Sequence, residues 1–232
     1  MRNDSVHRRR LVCNPAAETA DPVEAPAPAA GCARLSGAPT LGTVTSSVQL
    51  TVHRFRVTLL DVTPPVWREL RAPSVVGLHL LHAVVQIAMG WEDRHLHEWS
   101  IGDRLYVASD EEDWGERALD ESGVTLAEVG PPDSAFAYLY DMGAGWEHLV
   151  EVLAVTPYDA TVIPLACLDG ARACPPEDIG GPSGYEHLLD ALGDTADAEH
   201  EEMVERYGDH FSPDDFDISR VNERLEELWR AY

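Results

Sequence analysis

The sequence lacks lysine altogether, and its positive charge is correspondingly low. All 17 basic residues are arginine, against 41 aspartate and glutamate residues, so the net charge is -24. This charge repels a phosphate backbone and removes the attraction behind most non-specific nucleic-acid binding. Direct nucleic-acid binding is therefore disfavoured. Three roles for the charge stay open: solubility in a monomeric protein, binding of a basic protein partner, and mimicry of a nucleic acid toward a DNA-binding partner.

Long apolar runs are also missing. No stretch reaches the roughly 18 residues that a membrane-spanning helix needs. The basic residues Arg8–Arg10 lead into Leu11–Cys13 and then into polar sequence, which is not the core of a signal peptide. We therefore expect a cytoplasmic protein with no membrane anchor.

Cysteine is scarce, with four in the chain: Cys13, Cys32, Cys167 and Cys174. The first two lie in a region of low complexity, and the expected compartment is reducing. We predict no structural disulfide.

Several catalytic signatures are absent. The sequence has no phosphate-binding Gly-x4-Gly-Lys-Ser/Thr, no His-Glu-x2-His and no Gly-x-Ser-x-Gly. The Gly143-Ala144-Gly145 segment lies between two predicted strands, where it is typical of a turn and not of a dinucleotide-binding loop. These absences argue against kinase, α/β-hydrolase and dinucleotide-dependent functions.

The chain divides by composition near residue 47. Residues 1–47 are rich in Pro, Ala, Gly and Thr and show no apolar periodicity, which is typical of a disordered tail. Residues 48–232 carry the alternating and helical patterns of a folded domain.

Six strands are predicted in the domain, and they pair as three hairpins. The first predicted strand is 48–60. Its apolar residues Val48, Leu50 and Val52 face the same way as Phe55, Val57 and Leu59 only if the register shifts between the two sets. Pro64 and Pro65 then make a turn. The further predicted strands are 66–72, 95–101, 104–108, 135–140 and 147–155.

Helices are predicted after the first hairpin and near the end of the chain. Leu78, Leu81, Val84 and Val85 recur at three- and four-residue spacing, and Gly90 follows at the place of a C-cap. The later helices are predicted at 185–192, 198–207 and 218–229, after a loop over 167–182. The fold class is α+β: a largely antiparallel sheet built from hairpins, with the C-terminal helices packed on one side.

Five spaced motifs carry a resemblance to a known family. They are Pro64-Pro-Val-Trp-Arg68, Met89-Gly-Trp91, His95-Leu-His-Glu98, Tyr140-Asp-Met-Gly-Ala-Gly-Trp-Glu-His148 and Ala173-Cys-Pro-Pro-Glu-Asp178. In this order they resemble the plasmid pRiA4b ORF-3-like family, over about residues 48–228. The resemblance implies a protein associated with plasmids or transposons, with no established activity.

The chain departs from the family's pattern at two positions. Ala144 stands where the family's usual residue is acidic, and Ile179 stands where a cysteine is common. If those positions carry chemistry, this member has kept the fold without it. The resolvase label that some members carry does not fit this chain, because it lacks a basic DNA-binding part.

Side chains that could bind a ligand or a metal fall in three places. The candidate binding residues are His95, His97, Asp141, Trp146, Glu147, His148, Glu177 and Asp178. A structural zinc ion could use His148, Cys167 and Cys174, whereas a His and carboxylate set with an open position would suit hydrolysis. The spacing Cys-x6-Cys is wider than in common zinc sites.

Each of these residues also has a purely structural interpretation. His95 and His97 suit ordinary strand positions. Asp141 suits a turn cap, with Gly143 and Gly145 supplying positive φ angles. Trp146 suits the core.

Two functions are compatible with this sequence. The first is a non-enzymatic adaptor whose acidic C-terminal helices bind a basic protein. The second is a metal-dependent hydrolase at the His, Asp, Cys and Glu residues above. Whether the protein is an enzyme is left open.

Overall fold

An eight-stranded sheet forms the centre of the fold. The structure, a computed structural model, describes residues 50–108, 118–208 and 211–232. The strands are β1 (Thr51–Leu59), β2 (Trp67–Pro73), β3 (His97–Ile101), β4 (Arg104–Val107), β5 (Ala118–Asp120), β6 (Ala135–Tyr140), β7 (Trp146–Pro157) and β8 (Ala166–Ala171). Their order is β5-β4-β3-β6-β7-β1-β2-β8, and all neighbours are antiparallel except β4 and β5. The predicted fold class is confirmed.

The register shift predicted within the first strand is absent, because β1 pairs with β2 without interruption from Val52 to Thr58. The pairing of β1 with β7 slips between Arg54 and Phe55, but the extra residue of this bulge is Leu153 of β7. Phe55 and Val57 therefore face the core, whereas Val52 does not belong to it and Leu50 is 52% exposed.

The helices lie mainly in the C-terminal part. They are α1 (Leu78–Met89), α2 (Leu126–Val129), α3 (Gly181–Gly193), α4 (His200–Met203) and α5 (Ile218–Ala231), with a π-helical turn at Val204–Gly208 after α4. Gly90 ends α1 at φ 98°, and its N–H donates to Gln86 O, as predicted from its C-cap position. Apolar side chains of α1, α3 and α5 pack with one face of the sheet into a single core.

The predicted loop 167–182 contains regular structure at both ends. Cys167 lies in β8, which pairs with β2 at the edge of the sheet, and Gly181 already begins α3. β8 is short and includes Asp169 and Gly170, which are uncommon in strands. The strand was therefore not predicted from the sequence pattern. The outer edge of β8 is covered by α5, because the Asn222 amide accepts from the Cys167 N–H (2.7 Å) and donates to its carbonyl (3.0 Å).

A buried arginine ties β2 to the elements around it. Arg68 is 2% exposed, and its guanidinium donates to the carbonyls of Ala88 (2.7 Å), Ala171 (2.9 Å) and Arg172 (2.8 Å). Its guanidinium carbon lies 4.1 Å from the centre of the Phe216 ring. Carbonyls at the end of α1 suit a cation, so Arg68 joins the sheet, α1 and the loop after β8.

Some predictions fall outside the described residues: the tail at 1–47, Cys13 and Cys32. Cys167 and Cys174 are free thiols. Among the described residues, no helix is long and apolar enough to cross a membrane. The expected cytoplasmic location stays a prediction.

Candidate functional site

Three connections meet at one end of the sheet: the α1–β3 loop, the β6–β7 turn and the β8–α3 loop. Trp91 joins them, because its indole N–H donates to Pro175 O (3.0 Å) and its ring lies 4.8 Å from that of Tyr140. Trp91 is only 2% exposed. The family-like motifs, separated in sequence by tens of residues, therefore form one continuous patch.

At the surface of this patch, one imidazole faces three carboxylates. His95 Nε2 lies 3.0 Å from Asp178 Oδ1, 3.7 Å from Asp141 Oδ2 and 3.8 Å from Glu177 Oε2. We call these four residues the His95 cluster. One ligand atom each from His95, Asp141 and Asp178 lie within 4.8 Å of one another. Ligands of one cation at bonds of about 2.0–2.2 Å lie roughly 3–3.5 Å apart, so this spacing is close to that of a metal site.

In two of the three carboxylates, hydrogen bonds from the surrounding protein hold one oxygen. The second oxygen of each faces His95. Asp141 Oδ1 accepts from the backbone N–H groups of Gly143 (3.0 Å) and Ala144 (3.1 Å). Glu177 Oε1 accepts from the Glu92 N–H (2.9 Å) and the Tyr140 hydroxyl (3.0 Å). Such second contacts orient metal ligands in known sites.

Tyr140 links two walls of the cluster. Its hydroxyl donates to Glu177 and accepts from the Arg94 N–H at 2.9 Å. Desolvation is the main cause that raises the pKa of Tyr140, and the neighbouring Glu177 raises it further. The phenol therefore stays protonated and acts as a fixed donor. Tyr140 lies within one of the family-like motifs but is not among the candidate binding residues predicted from the sequence.

The His95 cluster has an excess of negative charge. Its three carboxylates face one imidazole, and the nearest guanidinium atom to Asp178 is Arg94 Nη1, 3.9 Å from Oδ2. The Asp141 and Glu177 side chains are 13% and 11% exposed, whereas Asp178 is 57% exposed. A cation would relieve the repulsion between the partly buried carboxylates.

The local geometry of the β6–β7 turn agrees only in part with the prediction from the sequence. Asp141 caps the turn as expected, and Gly145 has φ 75°, but Gly143 is not among the positive-φ residues; Asp141 itself takes φ 51°. Gly181, at φ 74°, approaches this turn so closely that an added Cβ would lie 2.4 Å from Ala144 O. Only glycine fits there, so the start of α3 is held against the turn.

The structure separates His95 from the next histidine. His95 precedes β3 and joins the cluster, whereas His97 is 7% exposed and points into the core. Its Nε2 lies 3.0 Å from Glu121 Oε2, and its ring stacks on His82 at 3.6 Å.

The alternation of side chains along β7 determines which of its candidate binding residues face the core. Trp146 and His148 are 1% and 0% exposed on the core face, whereas Glu147 is exposed on the other face. His148 Nδ1 lies 3.2 Å from Tyr138 O, to which it donates, and Nε2 has no hydrogen-bond partner within the described chain. Burial lowers the pKa of His148 to about 4, so its imidazole is neutral at pH 7.

The predicted zinc ligands His148, Cys167 and Cys174 do not form a ligand group in the part of the chain that the structure describes. The Cys167 thiol donates to Asp169 O (3.4 Å). Burial raises the pKa of Cys167 to about 11 and that of Cys174 still further. Both thiols are protonated and face the Arg68 charge, which disfavours a cation there.

A second polar cluster lies mostly in the interior, and its Asp93 side chain, 61% exposed, reaches the surface. His82 Nδ1 lies 2.8 Å from the Tyr138 hydroxyl, and its Nε2 lies 2.8 Å from Asp93 Oδ1. The Trp99 indole N–H donates to the buried Glu121 at 3.0 Å. Desolvation, followed by the neighbouring His97, lowers the pKa of His82 to about 4. The buried groups of this cluster satisfy one another beneath the sheet.

The fold and the patch define a class: an α+β protein whose spaced motifs gather at one end of a mostly antiparallel sheet. The family model described as "Plasmid pRiA4b ORF-3-like protein" matches residues 51–220. The chain belongs to this family.

Its relatives share the fold without an assigned activity. It is 38% identical over 184 residues to "Uncharacterized protein y4hQ" of Sinorhizobium fredii (strain NBRC 101917 / NGR234), covering 76% of this chain and 92% of that protein. It also matches the crystal structure of "Protein of Unknown Function MM3350" from Methanosarcina mazei Go1, with a TM-score of 0.69 and 30% identity. That match covers 75% of this chain and 99% of the other.

Proposed function

We propose that this protein binds one divalent cation at the His95 cluster and uses it as a Lewis acid. One observation carries the proposal: three carboxylate oxygens converge on His95 Nε2 within 3.8 Å, two of them from side chains whose other oxygen is held by the protein. Imidazole nitrogen mixed with carboxylate oxygen suits Zn²⁺ or Mn²⁺ better than Ca²⁺.

The exposure of the cluster suits chemistry on a substrate that arrives from solvent. Asp178 is more than half exposed, so a cation here would keep coordination positions open for water. A cation with an open position activates water or polarises a carbonyl or phosphoryl group. Hydrolysis is therefore the reaction class that this proposal favours.

The test is calorimetric titration of chelator-treated protein with Zn²⁺ and Mn²⁺. One site per chain is expected. Asp141→Asn keeps the oxygen that caps the turn but removes the ligand charge, and it should weaken binding at least about tenfold, as should His95→Ala.

The matched control is His187→Ala. It removes an exposed imidazole that pairs with one carboxylate, Glu199, at 2.7 Å. Equal loss in His187→Ala and His95→Ala, or unchanged binding in both cluster variants, would refute the proposal. The cluster would then be an ion-paired group that fastens the three connections together.

A second candidate function is binding of a basic protein, favoured by the charge of the C-terminal helices. Between residues 186 and 227 there are 15 acidic residues and three arginines. Glu201 and Glu202 on α4 and Glu223 on α5 are exposed. Binding of this kind should weaken steeply as salt is raised. Association with a plasmid or transposon stays a prediction.

A further inference from the structure

A groove lies between α5 and the segment that leads into β8. Its volume is about 580 Å³, and its walls include Val162, Ile163 and Leu165 on one side and Asn222, Glu223 and Glu226 on the other. The groove is at the β8 edge of the sheet and shares no lining residue with the His95 cluster.

Apolar side chains are exposed in this groove. Ile163 is 59% exposed and Val162 is 39% exposed, and Leu165 is buried at the floor. Adjacent apolar groups exposed in a concave surface are typical of binding sites, whereas single exposed apolar residues are ordinary.

Both walls are held in place before any ligand binds. On one side, the Arg71 guanidinium donates to Ile163 O at 2.5 Å. On the other side, the Asn222 amide makes two hydrogen bonds to the Cys167 backbone. A preformed groove costs a ligand little ordering of the protein. The Asn222 contacts also occupy the β8 edge, so a ligand cannot add there as a further strand.

The charge of the α5 wall is negative. Ser219, Asn222, Glu223 and Glu226 follow helical spacing on the groove face, whereas Arg220 and Arg224 are not among the residues that line the groove. Glu226 also pairs with Arg230, and Arg71 is the basic residue among those that line the groove.

We propose that this groove binds a segment of a basic protein in which a branched apolar side chain is flanked by arginine or lysine. The apolar side chain covers Val162 and Ile163, and the basic groups pair with Glu223 and Glu226. This inference rests on the second candidate function and names its surface. It is independent of the cation at the His95 cluster.

The test begins with selection of random 12-residue peptides, displayed on phage, against the full chain. Selected peptides are expected to carry a branched apolar residue within about four positions of arginine or lysine. A synthetic, fluorescein-labelled copy of the strongest peptide then gives Kd by fluorescence anisotropy.

Matched variants locate the binding. Ile163→Ser and the Glu223→Gln/Glu226→Gln pair should each weaken the peptide at least about tenfold. The controls are Leu153→Ser, which alters another exposed apolar residue (37%), and Glu201→Gln/Glu202→Gln, which removes the same charge from α4. The controls and His95→Ala should leave Kd within about twofold.

Each other outcome overturns the inference. Basic peptides could be selected whose Kd is weakened more by Glu201→Gln/Glu202→Gln than by the groove variants. The protein would then bind basic partners, but not at this groove. If no peptide is selected, or those selected lack basic residues, both fail. If sedimentation reveals a dimer that Ile163→Ser disperses, the occupant is a second copy of this chain.

Discussion

Lowering the pH from 7 to about 5 is expected to destabilise this protein through the buried imidazole of His148. The side chain is 0% exposed, and burial lowers its pKa from 6.5 to about 4. In the unfolded chain the imidazole takes up a proton below pH 6.5, whereas in the folded protein it stays neutral until about pH 4. The unfolded state therefore binds more protons in this window, and stability falls as the pH falls.

The magnitude follows from the difference in pKa. A shift of about 2.5 units corresponds to roughly 3 kcal/mol when complete, of which about 2 kcal/mol is lost by pH 5. His82, with a pKa of about 4, adds a loss of similar size and direction. These losses are a large part of the 5–15 kcal/mol that stabilises a typical domain.

Urea unfolding between pH 4.5 and 7.5 measures this effect in wild type and in His148→Phe. The pH slope of the unfolding free energy measures how many more protons the unfolded state binds than the folded state. In the variant this number should be smaller by up to about one, whatever its absolute stability. His187→Gln is the control, since contact with Glu199 raises the pKa of His187 instead of lowering it. An unchanged slope in His148→Phe would contradict a neutral, buried His148.

Three further predictions concern single residues of the frame. Arg68→Leu leaves the carbonyls of Ala88, Ala171 and Arg172 without their donor, and urea unfolding should give a loss of about 3 kcal/mol or more. Gly181→Ala forces a Cβ against Ala144 O and should lower Tm by several degrees, whereas Gly193→Ala meets open space and should not. The Cys174 thiol, whose pKa burial raises, should react with a disulfide reagent at least about tenfold more slowly in folded than in urea-unfolded protein.

Contrary results have distinct meanings. A small loss in Arg68→Leu would mean that water reaches the carbonyls. Equal Tm values for the two glycine variants would contradict the close approach of α3 to the β6–β7 turn. Rapid reaction of Cys174 in the folded protein would contradict the desolvation that raises its pKa.

The fold was predictable where local pattern and tertiary environment agree. The alternation of Phe55, Val57 and Leu59, the helical spacing before Gly90 and the two hairpins of β3–β4 and β6–β7 were all evident in sequence. The register shift predicted in the first strand was wrong, because the extra residue lies in β7. The pairing of β1 with β7 was not evident, because a contact between strands about 100 residues apart leaves no local signal. β5 and β8 were missed because short edge strands carry few apolar residues.

The residues of the site could be predicted from the sequence, but not which of them lie together. His95, Asp141, Glu177 and Asp178 were all among the predicted binding residues, and the structure brings these four together. Strict alternation would have excluded Glu147, since Trp146 and His148 face the core. The separation of His95 from His97 could not be read from the pattern, because β3 begins only at His97.

The most direct test of the cation site is anomalous diffraction from crystals of chelator-treated protein soaked in Mn²⁺. We predict one strong peak within about 2.0–2.4 Å of His95 Nε2 and of an oxygen from both Asp141 and Asp178. No peak at the His95 cluster, or a peak only at exposed pairs such as His187 and Glu199, would contradict this prediction.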